Sequence, residues 1–200
     1  MKENHDFFVV DNFYQDPLKA RELGLTCEYL PKEAGLDGEI CIESRKSYFN
    51  EALVKKLESI IQKPIDFDPA KFAFGVFAKA ETINQGRSRV HVDPTDWVGI
   101  VYLSERCSSQ SGGGTSFYQH IKTGFSRLPN DKEAFIKNVL KRDAKDLSAW
   151  REIHKVEMKF NRLLLIKAGE LFHKATNYFG ENSQSARLTQ LFFFNEKKAL

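Results

Sequence analysis

Two residues with metal-binding chemistry stand one position apart in the middle of the chain, His91 and Asp93, within RSRVHVDPTDWVGIVYL. In an extended strand, side chains alternate between faces, so these two point the same way. An imidazole and a carboxylate so placed are two ligands of the 2-His-1-carboxylate facial triad, which holds Fe(II) and leaves coordination positions open. The third ligand must come from elsewhere, and the other histidines are His5, His120, His154 and His173. His5 lies near a terminus, His154 ends a helix-like stretch, and His120 follows the strand-like TSFYQ. His173 follows the apolar NRLLLIKA through GELF, and a barrel can bring such a strand beside the His91 strand.

Arg187 opens the last apolar stretch, ARLTQLFFF, downstream of His173. Its planar guanidinium pairs bidentately with a carboxylate, so it suits the anchor that an acidic cosubstrate needs at its far end. The glycine run 112–114 suits a tight turn into the next strand. It lacks the flanking pattern of a phosphate-binding loop.

These residues need a scaffold of strands. From residue 71 the pattern is strand-like: 71–80, 87–93, 97–104, 115–121, 155–160, 161–168 and 186–196, separated by Gly, Asn and Ser turns. Short strands in this order predict a two-sheet jelly roll, a double-stranded β-helix that is mainly β with flanking helices. Ahead of it, residues 6–11 read as a strand. Asp16-Pro17 opens a helix to about residue 27, with Leu18, Leu23 and Leu25 available for burial. Residues 31–38 read as a loop broken by Gly35 and Gly38. Asn50 caps a helix to about residue 62, where Leu53, Val54, Leu57, Ile60 and Ile61 form one apolar stripe. Both helices are expected to pack outside the sheet as scaffold. Residues 128–153 read as a helical insertion with two stripes, one of Phe135, Ile136, Val139 and Leu140, the other of Leu147, Trp150 and Ile153. Its many bases read as a solvated face. The expectation is a single domain over 1–200, with a jelly-roll core at 71–196.

The 42% hydrophobic content and 17 phenylalanines belong to a globular chain that favours strands. A net charge of +3 carries no clear nucleic-acid signal, since such binders show a clustered basic excess. Cys27, Cys41 and Cys107 are widely spaced with no CxxC, which speaks against a disulfide framework or structural zinc. With no long apolar run, the expectation is a cytoplasmic protein outside the membrane.

Taken together, the motifs resemble the Fe(II)/2-oxoglutarate-dependent dioxygenase superfamily, within it the prolyl-4-hydroxylase-like branch. The pattern is carried by His91-Val92-Asp93, Val101-Tyr102-Leu103-Ser104, Gly113-Gly114-Thr115, His173 and Arg187, over residues 71–196 without the insertion. The C-terminal half also resembles an uncharacterised family assigned to the same superfamily. The resemblance implies His91, Asp93 and His173 as iron ligands and Arg187 as partner of the distal carboxylate of 2-oxoglutarate. It implies Tyr102 as a hydrogen-bond donor to that carboxylate and Thr189, on the Arg187 face, as a pocket wall. It implies Fe(II), 2-oxoglutarate and O2 as requirements, succinate and CO2 as products, and a small molecule or protein side chain as substrate. Two departures are the extended loop 174–186 and the insertion, both in regions where substrate selection resides. A non-catalytic jelly-roll binding module is the alternative, opposed by the filled key positions. A cupin-type metalloprotein using His120 is another, opposed by the absence of His-x-His.

Overall fold

The computed structural model describes residues 6–34, 39–83, 88–105 and 112–198. Its strands are β1 (Phe7–Val10), β2 (Tyr29–Ala34), β3 (Glu39–Ser44), β4 (Ile65–Asp66), β5 (Phe74–Ala80), β6 (Trp97–Tyr102), β7 (Thr115–His120), β8 (Trp150–Val156), β9 (Arg162–Ile166), β10 (His173–Ala175) and β11 (Arg187–Glu196). They build two antiparallel sheets. The larger runs β1-β9-β6-β11-β5-β3-β2 with β4 on β11, and the smaller runs β10-β7-β8. This is the jelly roll expected from the strand pattern.

The large sheet is covered on both faces, which explains why β6 is apolar at nearly every position and buried throughout. Val98, Ile100 and Tyr102, with Leu164 and Ile166 of the neighbouring β9, face the small sheet, where they meet Phe117 and Val156. Trp97, Val101 and Leu103 face the other way, into a core with Phe74, Phe77, Leu188, Phe192 and Phe194.

Two helices close that second core. In α1 (Pro17–Thr26), the Asp16 carboxylate accepts from the Lys19 N–H at 3.1 Å, and Pro17 fills the first turn. In α2 (Glu51–Ile61), the Asn50 side chain accepts from the Leu53 N–H at 2.9 Å, and Gln62 stops the helix at φ 55°. The α2 stripe behaves as expected: Leu57 and Ile61 are buried, with Leu53, Val54 and Ile60 beside them. In α1, by contrast, Leu18 and Leu23 point outward, and the buried residue is Gly24. A Cβ there would lie 2.8 Å from Cδ1 of Phe77, so only a glycine lets α1 approach β5 this closely.

Four expectations need correction. Residues 31–34, expected as part of a loop, belong to strand β2, which pairs with β3, and β3 in turn finds a partner in β5 through Ile42–Lys79 and Glu43–Ala78. Residues 35–38 lie outside the described residues. The insertion is helical only at Lys132–Asp143 and in one 3-10 turn, Leu147–Ala149, with a π-helical turn at Ile136–Leu140. Trp150 and Ile153 belong to β8, whose pairing with β7 overrides the apparent helical stripe. Finally, residues 88–93 form no ladder strand, and only His91 makes a bridge. The first insertion stripe holds, with Phe135 and Leu140 buried and Ile136 and Val139 packed against the same cluster.

Leu57 is fully buried and Leu18 is 60% exposed. Leu57→Ala should therefore lower unfolding free energy by about 2–5 kcal/mol. Leu18→Ala should change it by less than about 0.5 kcal/mol, both read from urea titrations.

Candidate metal centre

Residues 88–93 are held by long-range bonds to three separate elements instead of a continuous ladder. The Val90 N–H donates to the Ala144 carbonyl at 3.0 Å, the His91 N–H to His173 at 3.0 Å, and the Asp93 N–H to Ala168 at 2.8 Å. Alternation does the rest. Val90 is fully buried and Val92 packs beside it, in a cluster with Phe135, Leu140, Trp150 and Phe172. His91 and Asp93 project to the opposite side. The insertion thus buttresses the His91–Asp93 segment from behind.

His173 opens β10, opposite Phe117 of β7. Its N–H returns a bond to the His91 carbonyl at 3.0 Å, so the two histidines form a reciprocal antiparallel bridge. Directly opposed residues share a face. His91, Asp93 and His173 consequently converge, with one ligand atom from each lying within 4.8 Å of the others. The Nε2 atom of His173 is 3.2 Å from Oδ2 of Asp93, and that of His91 is 3.7 Å from Oδ1.

The imidazoles are oriented from behind. Nδ1 of His91 lies 3.0 Å from the Arg89 carbonyl, and Nδ1 of His173 lies 2.9 Å from the Leu171 carbonyl. A carbonyl only accepts, so each Nδ1 carries a proton; each ring when neutral turns its Nε2 lone pair inward, and His173 when protonated donates from Nε2 to Asp93. Removal from water lowers the His91 pKa to about 4, helped by the His173 charge and opposed by Asp93. Burial alone would lower His173 too, but the hydrogen bond and charge of Asp93 carry it above its ordinary value. Burial would raise Asp93, yet His173, His91 and Arg89 together hold it below the usual carboxylate range. Two inward lone pairs and one anionic carboxylate make a donor set suited to a divalent metal such as Fe(II). The His91 side chain is 35% exposed against 4% for His173, so the centre opens past His91.

Beside the three residues lies a cavity of about 140 Å³. Val98, Ile100, Leu191 and Phe193 form its apolar wall, and Ala78, Ala80, Ala175 and Tyr178 also border it. Arg187 reaches in from the start of β11, 7% exposed. Among the described residues no carboxylate pairs with it. Its Nε–H donates to the Gly113 carbonyl at 2.7 Å, and its guanidinium carbon sits 5.5 Å from the Tyr102 ring centre. A buried cation without a counter-charge is costly, so this cavity favours an anion. Thr189, paired with Tyr102 across the sheet, lines the same wall. The Tyr102 hydroxyl is wholly buried and shares a 2.9 Å hydrogen bond with Thr115, which does line the cavity. Burial raises the Tyr102 pKa, opposed by Arg187 and Thr115, so the hydroxyl stays protonated.

Thr115 and Tyr178 are among the cavity residues that the sequence left without a role. Thr115 had a signal, since it directly follows the glycine run. Tyr178 had none, because its position depends on how the loop after β10 folds back. The rival histidines are elsewhere. His120 is buried between Thr123, at 2.9 Å, and Asp143, at 3.1 Å, and its ring packs on Trp150. His154 stacks on Phe7. His5 lies outside the described residues.

HygX from Streptomyces hygroscopicus, solved with nickel, 2-oxoglutarate and hygromycin B bound, is similar in fold, with a TM-score of 0.53. The two share 12% identity, over 96% of this chain and 83% of that one. A Pseudomonas putida prolyl-4-hydroxylase aligns with a TM-score of 0.49 and 16% identity, over 98% of this chain and 95% of that one. No curated protein matches. Facing sheets that gather a His-Asp-His cluster beside a buried arginine give the chain the fold of the Fe(II)/2-oxoglutarate-dependent oxygenases. Within that fold, the chain belongs to DUF6445, a family of unknown function whose model matches residues 1–194.

The two histidines should titrate in opposite directions from the free imidazole value. In the metal-free protein followed by NMR, His91 should stay neutral down to about pH 4, while His173 should take its proton above its ordinary value of 6.5. His91 then favours the fold as pH rises from 4 to 6.5, and His173 favours it at low pH and ceases to as pH rises through its own pKa. Two histidines titrating together near pH 6.5 would contradict this geometry.

Proposed function

We propose that this protein is an Fe(II)- and 2-oxoglutarate-dependent oxygenase that hydroxylates a small molecule or a protein side chain. One observation carries the reading: a His-Asp-His cluster and an arginine with no carboxylate partner among the described residues face one cavity. Either feature alone has structural uses. Together they match the two ends of a ligand that chelates a metal with its keto-acid and extends a second carboxylate inward.

His91, His173 and Asp93 would hold Fe(II), and Arg187 would hold the distal carboxylate of 2-oxoglutarate. With O2, these groups supply oxidation of a substrate C–H bond to an alcohol, with release of succinate and CO2. The chain's own work is positional. The Arg89 and Leu171 carbonyls keep both Nε2 lone pairs aimed at one point. Val98, Ile100, Leu191 and Phe193 keep water away from the cosubstrate and strengthen its pairing with Arg187. The Tyr102–Thr115 pair leaves one hydroxyl proton that Thr115 can direct into the cavity. Substrate would approach on the His91 side, where the centre is open, past Ala80, Ala175 and Tyr178.

Anaerobic addition of Fe(II) and 2-oxoglutarate should produce a visible metal-to-ligand charge-transfer band. His173→Ala should abolish it and His120→Ala should leave it. A folded wild-type protein without the band would favour a binding module over an enzyme, and the reverse pattern in the variants would move the third ligand to His120.

Arg187→Ala should leave metal binding intact and weaken 2-oxoglutarate by about 10- to 100-fold, the scale of a lost charge-assisted pair. Titration of the same band measures this. Unchanged affinity would remove Arg187 from the cosubstrate site.

A further inference from the structure

A buried arginine offers a carboxylate three different edges, and the chain blocks one of them. Two of the edges use Nε–H with a neighbouring Nη–H or one Nη alone, and the third uses the two Nη groups end-on. In Arg187 the Nε–H is already committed to the Gly113 carbonyl at 2.7 Å. The Tyr102 ring, 5.5 Å from the guanidinium carbon, limits where the group can swing. The main-chain N–H of Arg187 is tied as well, to the Phe179 carbonyl at 3.2 Å.

The carbonyl that holds Nε is itself placed by the absence of a side chain. Gly113 has φ +78°, a conformation that L side chains rarely adopt. A Cβ at Gly113 would stand 2.6 Å from Cε1 of Phe179 and 2.9 Å from Sδ of Met158. Both neighbours are buried in the core between the sheets. Any substituent would push the peptide off Phe179, the residue that also holds the Arg187 backbone.

We propose that Gly113 is a positioning residue for Arg187: its carbonyl takes the Nε–H, so that the paired Nη edge is what the distal carboxylate of 2-oxoglutarate meets. This rests on the oxygenase reading of the same cavity. It gives the glycine run a function in cosubstrate affinity beyond a turn.

The test is a double-mutant cycle of Gly113→Ala and Arg187→Lys, because lysine has no Nε–H for the carbonyl to hold. Melting curves establish that each variant folds. Co(II) titration without cosubstrate reads the metal site, and the anaerobic Fe(II) band reads 2-oxoglutarate affinity. Gly113→Ala should weaken 2-oxoglutarate by about 10- to 100-fold with Co(II) affinity within about twofold of wild type. Added to Arg187→Lys, it should cause no further loss. Unchanged 2-oxoglutarate affinity, a parallel loss of Co(II), or losses that simply add would overturn the assignment. A wild type that binds Co(II) but shows no band sinks the oxygenase reading itself, and this inference with it. Should Gly113→Ala fail to fold, NMR of the wild type decides: the Arg187 Nε–H should be protected from exchange before and after 2-oxoglutarate, with only the Nη signals shifting. An unprotected Nε–H in the free protein would overturn the assignment.

Discussion

The candidate site depends on two backbone hydrogen bonds exchanged by His91 and His173, each 3.0 Å long. They join a segment with no ladder of its own to the edge of the small sheet. Because directly opposed residues of an antiparallel pair share a face, this bridge alone places both imidazoles together. Asp93 follows from alternation along the same segment. A shift of one residue in the pairing would turn His173 away and bring Lys174 opposite His91, so register and ligand set are the same fact.

The bridge is supported from both sides. Behind it, Val90 and Val92 sit in the core formed by the insertion and the outer side of β7 and β8. The insertion also accepts the Val90 N–H through Ala144. In front, the large sheet contributes Arg187 and Thr189 from β11, with Tyr102 of the adjacent β6 packed beside them. The centre therefore lies between two sheets that share an apolar core, the larger of them backed by the two helices on its outer face. Such a site keeps its geometry because the segment carrying His91 and Asp93 is pinned by backbone hydrogen bonds and the other groups stand on strands.

Legibility varied with the range of the interactions involved. The α2 stripe and its Asn50 cap were readable because helix rules act within a few residues. The strands β5, β6, β7, β9 and β11 were readable as apolar runs between turn residues. The β2–β3 pair was not, since its stability comes from docking on β5 rather than from local composition. Trp150 and Ile153 looked helical at their spacing and became strand because β7 supplied a partner. Leu18 and Leu23 looked like core and are exposed, because Gly24 turns the small side of α1 toward Phe77.

The sequence by itself determined which groups could do chemistry: an imidazole and a carboxylate two positions apart, a later histidine, and an arginine in an apolar strand. It also determined the jelly-roll class, through the order and length of its apolar runs. The tertiary structure decided which of the histidines joins the first two. His120 and His173 both follow apolar strands, and nothing local separates them. His120 is drawn to Asp143 and Trp150 of the insertion, while His173 meets His91 across a strand pairing. The partner of the Arg187 Nε–H was equally hidden, since the Gly113 carbonyl is far away in the chain. Backbone pairing at long separation is settled by the packing of whole sheets, and a local pattern holds no record of it.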